Sequence, residues 1–277
     1  MTLTRRRFWT SALGAGATGA LYARVVEPKS LRVTRTSIAI PNLDAPMRIA
    51  QLSDLHSSPD VETSLLEEAA TLAIEARPDI ICLTGDYITG PDKFDSAGLV
   101  RIFRRLSAAA PVFSILGNHD LTRGRIRRTG WGSDEVLDLL REGGTNVLHN
   151  KTEVIHANGQ RLALTGIGDL WRNEFQPHRA FAKVDENIPV VFLCHNPDGK
   201  DAALAYRWDL MLSGHTHGGQ VVLPFLEPTW APVADKRFIA GRYDWEGRQM
   251  FITRGVGSIR GLRFSCPPEV SILDLHG

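Results

Sequence analysis

The sequence has few cysteines and almost no net charge. Three cysteines in 277 residues are too few for a disulfide scaffold, and the lack of a Cys-x-x-Cys pair argues against a cysteine zinc site. Cys82 and Cys194 lie inside apolar runs and are interpreted as small buried residues. A net charge of +1 provides no overall field that would hold nucleic acid or an anionic membrane. We therefore expect no nucleic-acid partner, and affinity for anions must come from a local site.

The N-terminus lacks an apolar run long enough to span a membrane. Residues 8–21 are apolar but rich in glycine, and they are shorter than the about 20 residues that a transmembrane helix needs. Arg5 and Arg6, followed by a variable residue and Phe8, resemble a twin-arginine export signal. The alternative interpretation is a frayed basic terminus that leads into a first helix.

The resemblance to an export signal divides the chain into two parts. We expect residues 1–30 to be a twin-arginine-type signal or a membrane tether, and residues 31–277 to form one catalytic domain. Such a signal implies the twin-arginine export machinery as a partner and a location in the periplasm or cell wall. The membrane surface becomes a further partner if the signal is retained.

Strands and helices alternate through the first half of this domain. Apolar runs predict the strands, and apolar stripes at helical spacing predict the helices. In the first half we expect strands at 31–40, 47–53, 79–84 and 112–116 and helices at 61–76, 95–108 and 133–142. In the second half we expect paired strands within 146–166, with a turn at Asn158-Gly159, and strands at 189–194, 209–213, 220–223, 236–240, 248–252 and 269–274. This order of elements indicates an α/β core in which two sheets pack together.

Side chains that can bind metals follow five of the predicted strands directly. Ligands bind at the carboxyl ends of strands in α/β sheets, so clusters that are distant in sequence can meet at one edge. The five clusters are Asp54 with His56, Gly85-Asp86, Gly117-Asn118-His119-Asp120, His195-Asn196 and Gly214-His215-Thr216-His217. They contain five of the nine histidines, and the other four are interpreted as surface or loop residues.

The ligand types in these clusters indicate which metals they suit. Carboxylate, imidazole and amide oxygen, without thiolate, suit Zn, Mn or Fe. Side chains two residues apart on an extended segment point the same way, so Asp54 and His56 can both reach one metal region, as can His215 and His217. A lone carboxylate such as Asp86 can bridge two cations. Each cluster alone could be a turn, a loop or a satisfied polar residue, but all five in this order indicate a metal site.

The five motifs together resemble the calcineurin-like metallophosphoesterase family. That family's signature runs Asp-x-His, Gly-Asp, Gly-Asn-His-Asp/Glu, a lone His and Gly-His-x-His, and all five occur in order across residues 47–222. One departure is Thr89, which stands where the second motif often has a further aspartate. The segments Arg254-Gly255-Val256-Gly257 and Pro267-Pro268-Glu269-Val270 resemble the exported, cell-envelope branch of the family. The resemblance implies a four-layer α/β/β/α sandwich of two mixed sheets, with a dinuclear metal site at the carboxyl ends of the strands.

Carried over position by position, the resemblance implies a site for two divalent or trivalent metal ions, namely Mn, Zn or Fe. The ligands of the first metal would be Asp54, His56, Asp86 and His217, and those of the second would be Asp86, Asn118, His195 and His215. The carboxylate of Asp86 would bridge the two ions.

The paired metals imply hydrolysis of phosphate mono- or diesters. A hydroxide that bridges the cations would attack phosphorus in line while the cations clamp the phosphoryl oxygens. In the family, the histidine that corresponds to His119 is the proposed proton donor to the leaving oxygen. The adjacent carboxylate, here Asp120, would hold this imidazole and favour its protonated form.

The residues that bind the substrate are harder to identify. Candidate phosphate contacts are Arg123, Arg125, Arg260 and Arg263. The alternative for the first pair is a solvated loop, and for the second pair a structural ion pair. Trp171-Arg172 and residues 225–230 are candidates for an apolar rim around a lipid or sugar, with loop packing as the alternative.

Two other functions stay open at the level of sequence. The same broad family includes enzymes that cleave UDP-diacylglucosamine, so a pyrophosphohydrolase of a lipid-linked precursor is one alternative. It predicts a wide apolar groove beside the metals and a retained anchor. The other alternative is a non-catalytic metal-binding scaffold. The complete ligand set, together with His119 and Asp120, favours an enzyme over a scaffold.

Overall fold

In this computed structural model, the described residues form two six-stranded sheets that pack face to face. These residues are 18–90, 93–121, 133–185, 187–223, 225–226 and 230–277. The motif with Arg5 and Arg6 lies outside them, as do the candidate substrate contacts Arg123 and Arg125.

The first sheet contains a parallel group of four strands. In order across the sheet, the strands are β1 (Arg32–Ala39), β12 (Glu269–His276), β2 (Met47–Leu52), β3 (Ile80–Leu83), β4 (Val112–Ser114) and β5 (Asn146–Val147). Strands β2 to β5 are parallel, β12 is antiparallel to β2, and β1 pairs with β12 as the edge strand. The three strands β2, β3 and β4 therefore end at the same edge of the sheet.

The second sheet has a parallel centre and an antiparallel strand at each edge. In order across the sheet, the strands are β10 (Gly241–Trp245), β11 (Arg248–Ile252), β9 (Leu210–Ser213), β8 (Val190–Leu193), β7 (Gln160–Gly166) and β6 (Lys151–Ala157). Strands β11, β9, β8 and β7 are parallel, while β10 and β6 are antiparallel to their neighbours. The predicted turn between β6 and β7 is confirmed, with φ of 51° at Asn158 and 76° at Gly159.

Helices cover the outer faces of the sheets unequally. On the first sheet they are α1 (Thr63–Glu75), α2 (Ser96–Ala109) and α3 (Ser133–Glu142). Two one-turn helices, α4 (Pro177–Ala180) and α5 (Gly199–Ala202), belong to the outer layer of the second sheet. Short helical turns lie at Tyr22–Val26, Glu27–Lys29, His217–Gly219 and Ile259–Gly261. Within the described part of the chain, no helix combines the length and apolar character needed to cross a membrane.

Apolar residues on both faces of the central strands explain why the layers stack. Side chains alternate between the two faces of a strand, so a strand that is apolar throughout must be covered on both sides. Ile49 and Ile80 of the first sheet share a core with Leu164 and Val191 of the second. Ala50, on the opposite face of β2, packs in the core beneath the helices.

The prediction of an α/β fold with two mixed sheets is confirmed, but two predicted strands are wrong. In place of a strand at 220–223, Val221 forms an isolated bridge with Phe264. In place of a strand at 236–240, the chain forms a loop, and the strand begins at Gly241. Phe238 in this loop packs in the outer core of the second sheet. Its apolar character therefore reflects loop anchoring and not strand pairing.

Candidate metal centre

The five predicted clusters all lie at one edge of the stacked sheets, in the turns that follow the central strands. Asp54 and His56 follow β2, Asp86 follows β3, and Asn118 follows β4. His195 follows β8, whereas His215 and His217 follow β9. All seven side chains are buried.

Left-handed backbone conformation is concentrated in these turns. The φ angles are 52° at Asp54, 46° at His56, 55° at Asp86, 69° at His215 and 50° at His217. For residues other than glycine this conformation costs on the order of 1–3 kcal/mol each, and it persists where function requires it. The strained turns therefore mark this edge as a functional site.

The ligand atoms form two groups of three. The nitrogen and oxygen atoms offered by Asp54, His56 and His217 all lie within 4.8 Å of one another. Those of Asp86, His195 and His215 satisfy the same limit. Asp86 Oδ2 is 3.1 Å from His195 Nε2 and 3.6 Å from His56 Nε2, so this carboxylate connects the two groups. This is the position required of a bridging carboxylate.

Several contacts in the centre fit metal ions better than they fit hydrogen bonds. The Nε2 atoms of His56 and His217 face each other at 3.1 Å. Asn118 Oδ1 is buried and has no hydrogen-bond partner among the described residues. A buried acceptor without a partner is costly, and coordination of a cation would remove that cost. The donor set of carboxylate, imidazole and amide oxygen therefore fits two metal ions.

Main-chain carbonyls orient two of the ligand imidazoles. His195 Nδ1 lies 2.7 Å from the carbonyl oxygen of Thr84, and His215 Nε2 lies 3.0 Å from that of Pro232. A carbonyl can only accept, so each of these nitrogens donates a proton and the other ring nitrogen is directed into the centre. Sequence analysis did not identify Thr84 or Pro232, because any residue type supplies a carbonyl.

Burial and the neighbouring carboxylates together set the pKa values of the groups in the centre. Burial lowers the pKa of His56 and of His215 to about 3, so both rings are neutral and able to bind a metal. Burial raises the pKa of Asp54 to about 6. Burial also disfavours a charged His195, but the carboxylates around it, Asp86 first, outweigh that effect and raise the pKa of His195 to about 10. The centre therefore attracts positive charge, which metal ions supply when bound.

The model of the calcineurin-like phosphoesterase family matches residues 47–219, which include all seven of these side chains. The chain belongs to this family. It is therefore a metal-dependent phosphoesterase that uses two metal ions, as the sequence predicted.

Curated relatives match along nearly the whole chain. Phosphodiesterase YaeI of Escherichia coli (strain K12) is 38% identical over 277 residues and covers 99% of each chain. Uncharacterized metallophosphoesterase YkuE of Bacillus subtilis (strain 168) is 31% identical and covers 99% of this chain and 98% of its own. UDP-2,3-diacylglucosamine pyrophosphatase LpxG of Chlamydia trachomatis serovar D is 25% identical and covers 95% of each chain.

In this phosphoesterase, His119 lies half-buried beside the two metal groups. Its ring packs edge-on against His56, with 5.0 Å between the centroids. Its Nδ1 donates to the carbonyl oxygen of Thr89 at 2.8 Å, and its amide donates to Asp86 Oδ1 at 2.8 Å. Its Nε2 atom is therefore the one available to a substrate. Thr89, the departure from the family motif, holds this imidazole through its main chain.

The prediction that the Asp120 carboxylate holds the His119 imidazole is wrong. The buried carboxylate of Asp120 accepts the amides of Asp86, Tyr87 and Gly117, each at 2.8 Å. These bonds tie the turn after β3 to the turn after β4. Asp120 therefore positions the backbone of Asp86, and it does not contact the imidazole beside it in sequence.

Trp171 and Arg172 lie against the second metal group. The Trp171 ring packs edge-on against His215, with 4.4 Å between the centroids. Arg172 Nε donates to the carbonyl oxygen of Asn118 at 2.7 Å. The buried carboxylate of Asp169 accepts the amides of both residues. This loop therefore supports two of the candidate ligands, a role that sequence analysis missed.

The two described candidate substrate contacts differ in accessibility. Arg263 is completely buried, and its guanidinium donates to the carbonyl oxygens of Arg254, Cys266 and Gly257. It is therefore a structural residue that donates hydrogen bonds to main-chain carbonyls. Both predictions for Arg263, a phosphate contact and a structural ion pair, are wrong. Arg260 is exposed and lines a cavity that adjoins His217.

Proposed function

We propose that this phosphoesterase hydrolyses phosphate mono- or diesters in the cell envelope. The observation that carries the proposal is the convergence of two metal-competent groups connected by Asp86. A phosphodiesterase that is 38% identical over 99% of each chain supports the hydrolysis of esters.

Each metal ion has its own set of candidate ligands among the described residues. Asp54, His56 and His217 would hold the first ion, and Asn118, His195 and His215 the second, with Asp86 between them. When bound, the two ions supply Lewis-acid activation of water and offset the charge on the phosphoryl group. Mn, Zn or Fe would suit these donors.

His119 would be the proton donor to the leaving oxygen. The hydrogen bond from its Nδ1 to the carbonyl oxygen of Thr89 orients the ring. The hydrogen bond from its main-chain amide to Asp86 Oδ1 places it beside the bridging carboxylate. Protonated Nε2 can then transfer its proton to the departing oxygen, a contribution of about 10²–10⁴ in rate for a well-placed acid.

Export is proposed from the N-terminal sequence. Arg5 and Arg6 before Phe8 resemble a signal for a route that carries folded proteins. Such a route would allow the protein to acquire its metals before export. The resulting location is the periplasm or cell wall, with contact to the membrane surface if the signal is retained.

A lipid-linked pyrophosphate is a second candidate substrate. A cavity of about 420 Å³ adjoins His217, and its apolar walls are Trp230, Pro232, Ile259 and Leu262. A cavity of this size and lining suits an apolar group attached to the phosphoryl centre, while the guanidinium of Arg260 suits a second phosphate. The relative named UDP-2,3-diacylglucosamine pyrophosphatase supports the same substrate class.

Metal analysis and a substrate panel on purified protein test the proposal. The panel contains p-nitrophenyl mono- and diesters, alkyl phosphodiesters and UDP-2,3-diacylglucosamine. Turnover of the esters that is lost on chelation and restored by Mn²⁺ supports the leading function. Turnover confined to UDP-2,3-diacylglucosamine favours the second candidate, and two bound metals without turnover of any compound would contradict both proposed substrate classes.

The proposed location is tested by cell fractionation. Replacing Arg5 and Arg6 together by lysine keeps the charge but removes the paired-arginine motif. We expect the wild-type protein in the envelope fraction and the double variant in the cytoplasm. Equal distribution of the two proteins would contradict export by this route.

A further inference from the structure

Part of the segment that was predicted to belong to the export signal packs against the catalytic domain. Residues 22–29, here called the N-terminal strap, form two short helical turns in which Ala23 and Glu27 are buried. The carbonyl oxygen of Ala23 accepts the amide of Arg263 at 2.9 Å. Arg24 pairs with Asp60 at 2.8 Å. The strap is therefore held through buried and polar contacts, as a part of the folded domain would be.

Glu27 makes the central contact of the strap. Its carboxylate is 2% exposed and accepts the amides of Ser265, at 2.9 Å, and of Cys266. Ser265 has a φ of 50°, so the turn that Glu27 holds is itself in a strained conformation. A buried carboxylate is costly unless it is hydrogen-bonded, and here both bonds go to this one turn. The side chain of Glu27 therefore stabilises the conformation of residues 265–266.

This turn contacts the backbone of one candidate metal ligand. Cys266 Sγ lies 3.2 Å from the carbonyl oxygen of His217 and 3.5 Å from that of Gly218. Gly218 has a φ of 62°, and a Cβ atom at this position would lie 2.7 Å from the Cys266 sulfur. The close fit means that a movement of Cys266 is transmitted to the turn that carries His217.

A second set of contacts runs from the strap to another ligand of the same group. Arg263, whose amide bonds to the strap, donates from Nε to the carbonyl oxygen of Gly257 at 3.1 Å. The amide of Gly257 in turn donates to the carbonyl oxygen of Asp54 at 2.7 Å. Asp54 and His217 belong to one metal-competent group, so both sets of contacts reach the same candidate metal position.

We propose that Glu27 is a positioning residue for the metal centre and that the strap belongs to the catalytic domain. Glu27 holds the turn at 265–266, and this turn supports the backbone that carries His217. This positioning role does not depend on which substrate the enzyme hydrolyses. It rests on the proposed metal centre only in the experiment that measures metal binding. It also requires that processing of an exported form take place before Tyr22, so that the mature enzyme retains Glu27.

Thiol labelling of the full-length chain tests the local role of Glu27. Cys266 is buried and becomes reactive only when its turn opens, while Cys82 and Cys194, buried in other parts of the domain, report on unfolding elsewhere. In Glu27→Ala we expect Cys266 to be labelled at least about tenfold faster, with the other two cysteines unchanged. Glu27→Gln keeps one acceptor oxygen and should show a smaller effect. Glu62→Gln, which removes the exposed partner of Lys29, is the matched control and should label like the wild type.

The link to the metal centre is tested on the same variants loaded with Co²⁺. A shift of His217 changes the ligand field, so we expect altered visible absorption bands in Glu27→Ala and unaltered bands in Glu62→Gln. Faster labelling of all three cysteines would show a general loss of stability and would overturn the positioning role. Unchanged labelling together with an unchanged Co²⁺ spectrum would also overturn it. So would an active exported form whose N-terminus, determined by mass spectrometry, lies after Glu27.

Discussion

The Nδ1 atom of His119 donates a hydrogen bond of 2.8 Å to the main-chain carbonyl oxygen of Thr89. A carbonyl accepts this bond whether the imidazole is neutral or charged, so the ring can release a proton from Nε2 without losing its orientation. The hydroxyl of Thr89 lies 3.3 Å from His56 Nδ1, which brings the same residue into contact with a candidate metal ligand. Thr89 thus links the proposed proton donor to the metal centre.

Replacing His119 by alanine should remove the proposed acid while leaving the metal ligands in place. For an alkyl phosphodiester we expect kcat to fall by about 10²–10⁴, because the leaving alkoxide needs a proton. For p-nitrophenyl esters the loss should be much smaller. His178→Ala, which removes an exposed histidine outside the centre, serves as the control and should keep full turnover. Full turnover of the alkyl ester by the His119 variant would contradict the assignment, provided that both metals remain bound.

Replacing Asp120 by asparagine tests its role as a backbone anchor. The amide nitrogen of the new side chain would face main-chain N–H groups that now donate to a carboxylate oxygen. We expect the free energy of unfolding to fall by about 1–3 kcal/mol, measured by urea denaturation of the metal-free protein. Asp138→Asn, at an exposed site on α3, is the control and should change stability little. Unchanged stability of the Asp120 variant would argue against the anchor.

Replacing Asn118 by alanine should weaken one metal position selectively. Its Oδ1 atom is buried without a partner among the described residues, as expected of a ligand whose cation completes its bonding. We expect the metal content of the dialysed protein to fall from about two ions per chain toward one. His178→Ala changes an exposed histidine outside the centre and should leave the content unchanged. Retention of both ions by the Asn118 variant would remove it from the ligand set.

Removal of the metals should lower the thermal stability of the protein. The centre buries the carboxylates of Asp54 and Asp86, and bound cations offset their charge. A site occupied at a hundred times its dissociation constant stabilises the fold by about 2.7 kcal/mol, so chelation should lower Tm by several degrees. Differential scanning fluorimetry with and without EDTA measures the shift, and Mn²⁺ should reverse it. An unchanged Tm would mean that the folded state does not bind the ions preferentially.

Much of the metal centre was predictable from sequence because its signals are local. Asp54 and His56 follow an apolar strand directly, and the two residues have side chains of a type that binds metals. The ends of parallel strands meet at one edge, so a correct prediction of strands brings these turns together. The apolar run at 236–240 led to a wrong strand prediction, because a loop residue that anchors in a core, such as Phe238, is also apolar.

The partners of charged residues were much harder to predict. Asp120 stands beside His119 in sequence, yet its carboxylate points to the amides of a different turn. Arg263 was a candidate for binding phosphate, but it is buried among main-chain carbonyls. Adjacency along the chain does not determine which way a side chain points in a tight turn, and a carbonyl partner carries no side-chain signature.

The sequence by itself determined the central strands and the three long helices, the set of metal-competent side chains and, through its motifs, the family. Apolar periodicity and residue chemistry are properties of short segments and can be identified without coordinates. Only the tertiary structure decided that Asp120 holds the amides of Asp86 and Gly117, that Thr89 holds His119, and that Glu27 bonds the turn at 265–266. Each of these contacts joins residues from separate segments, so each depends on how the two sheets and their loops pack together.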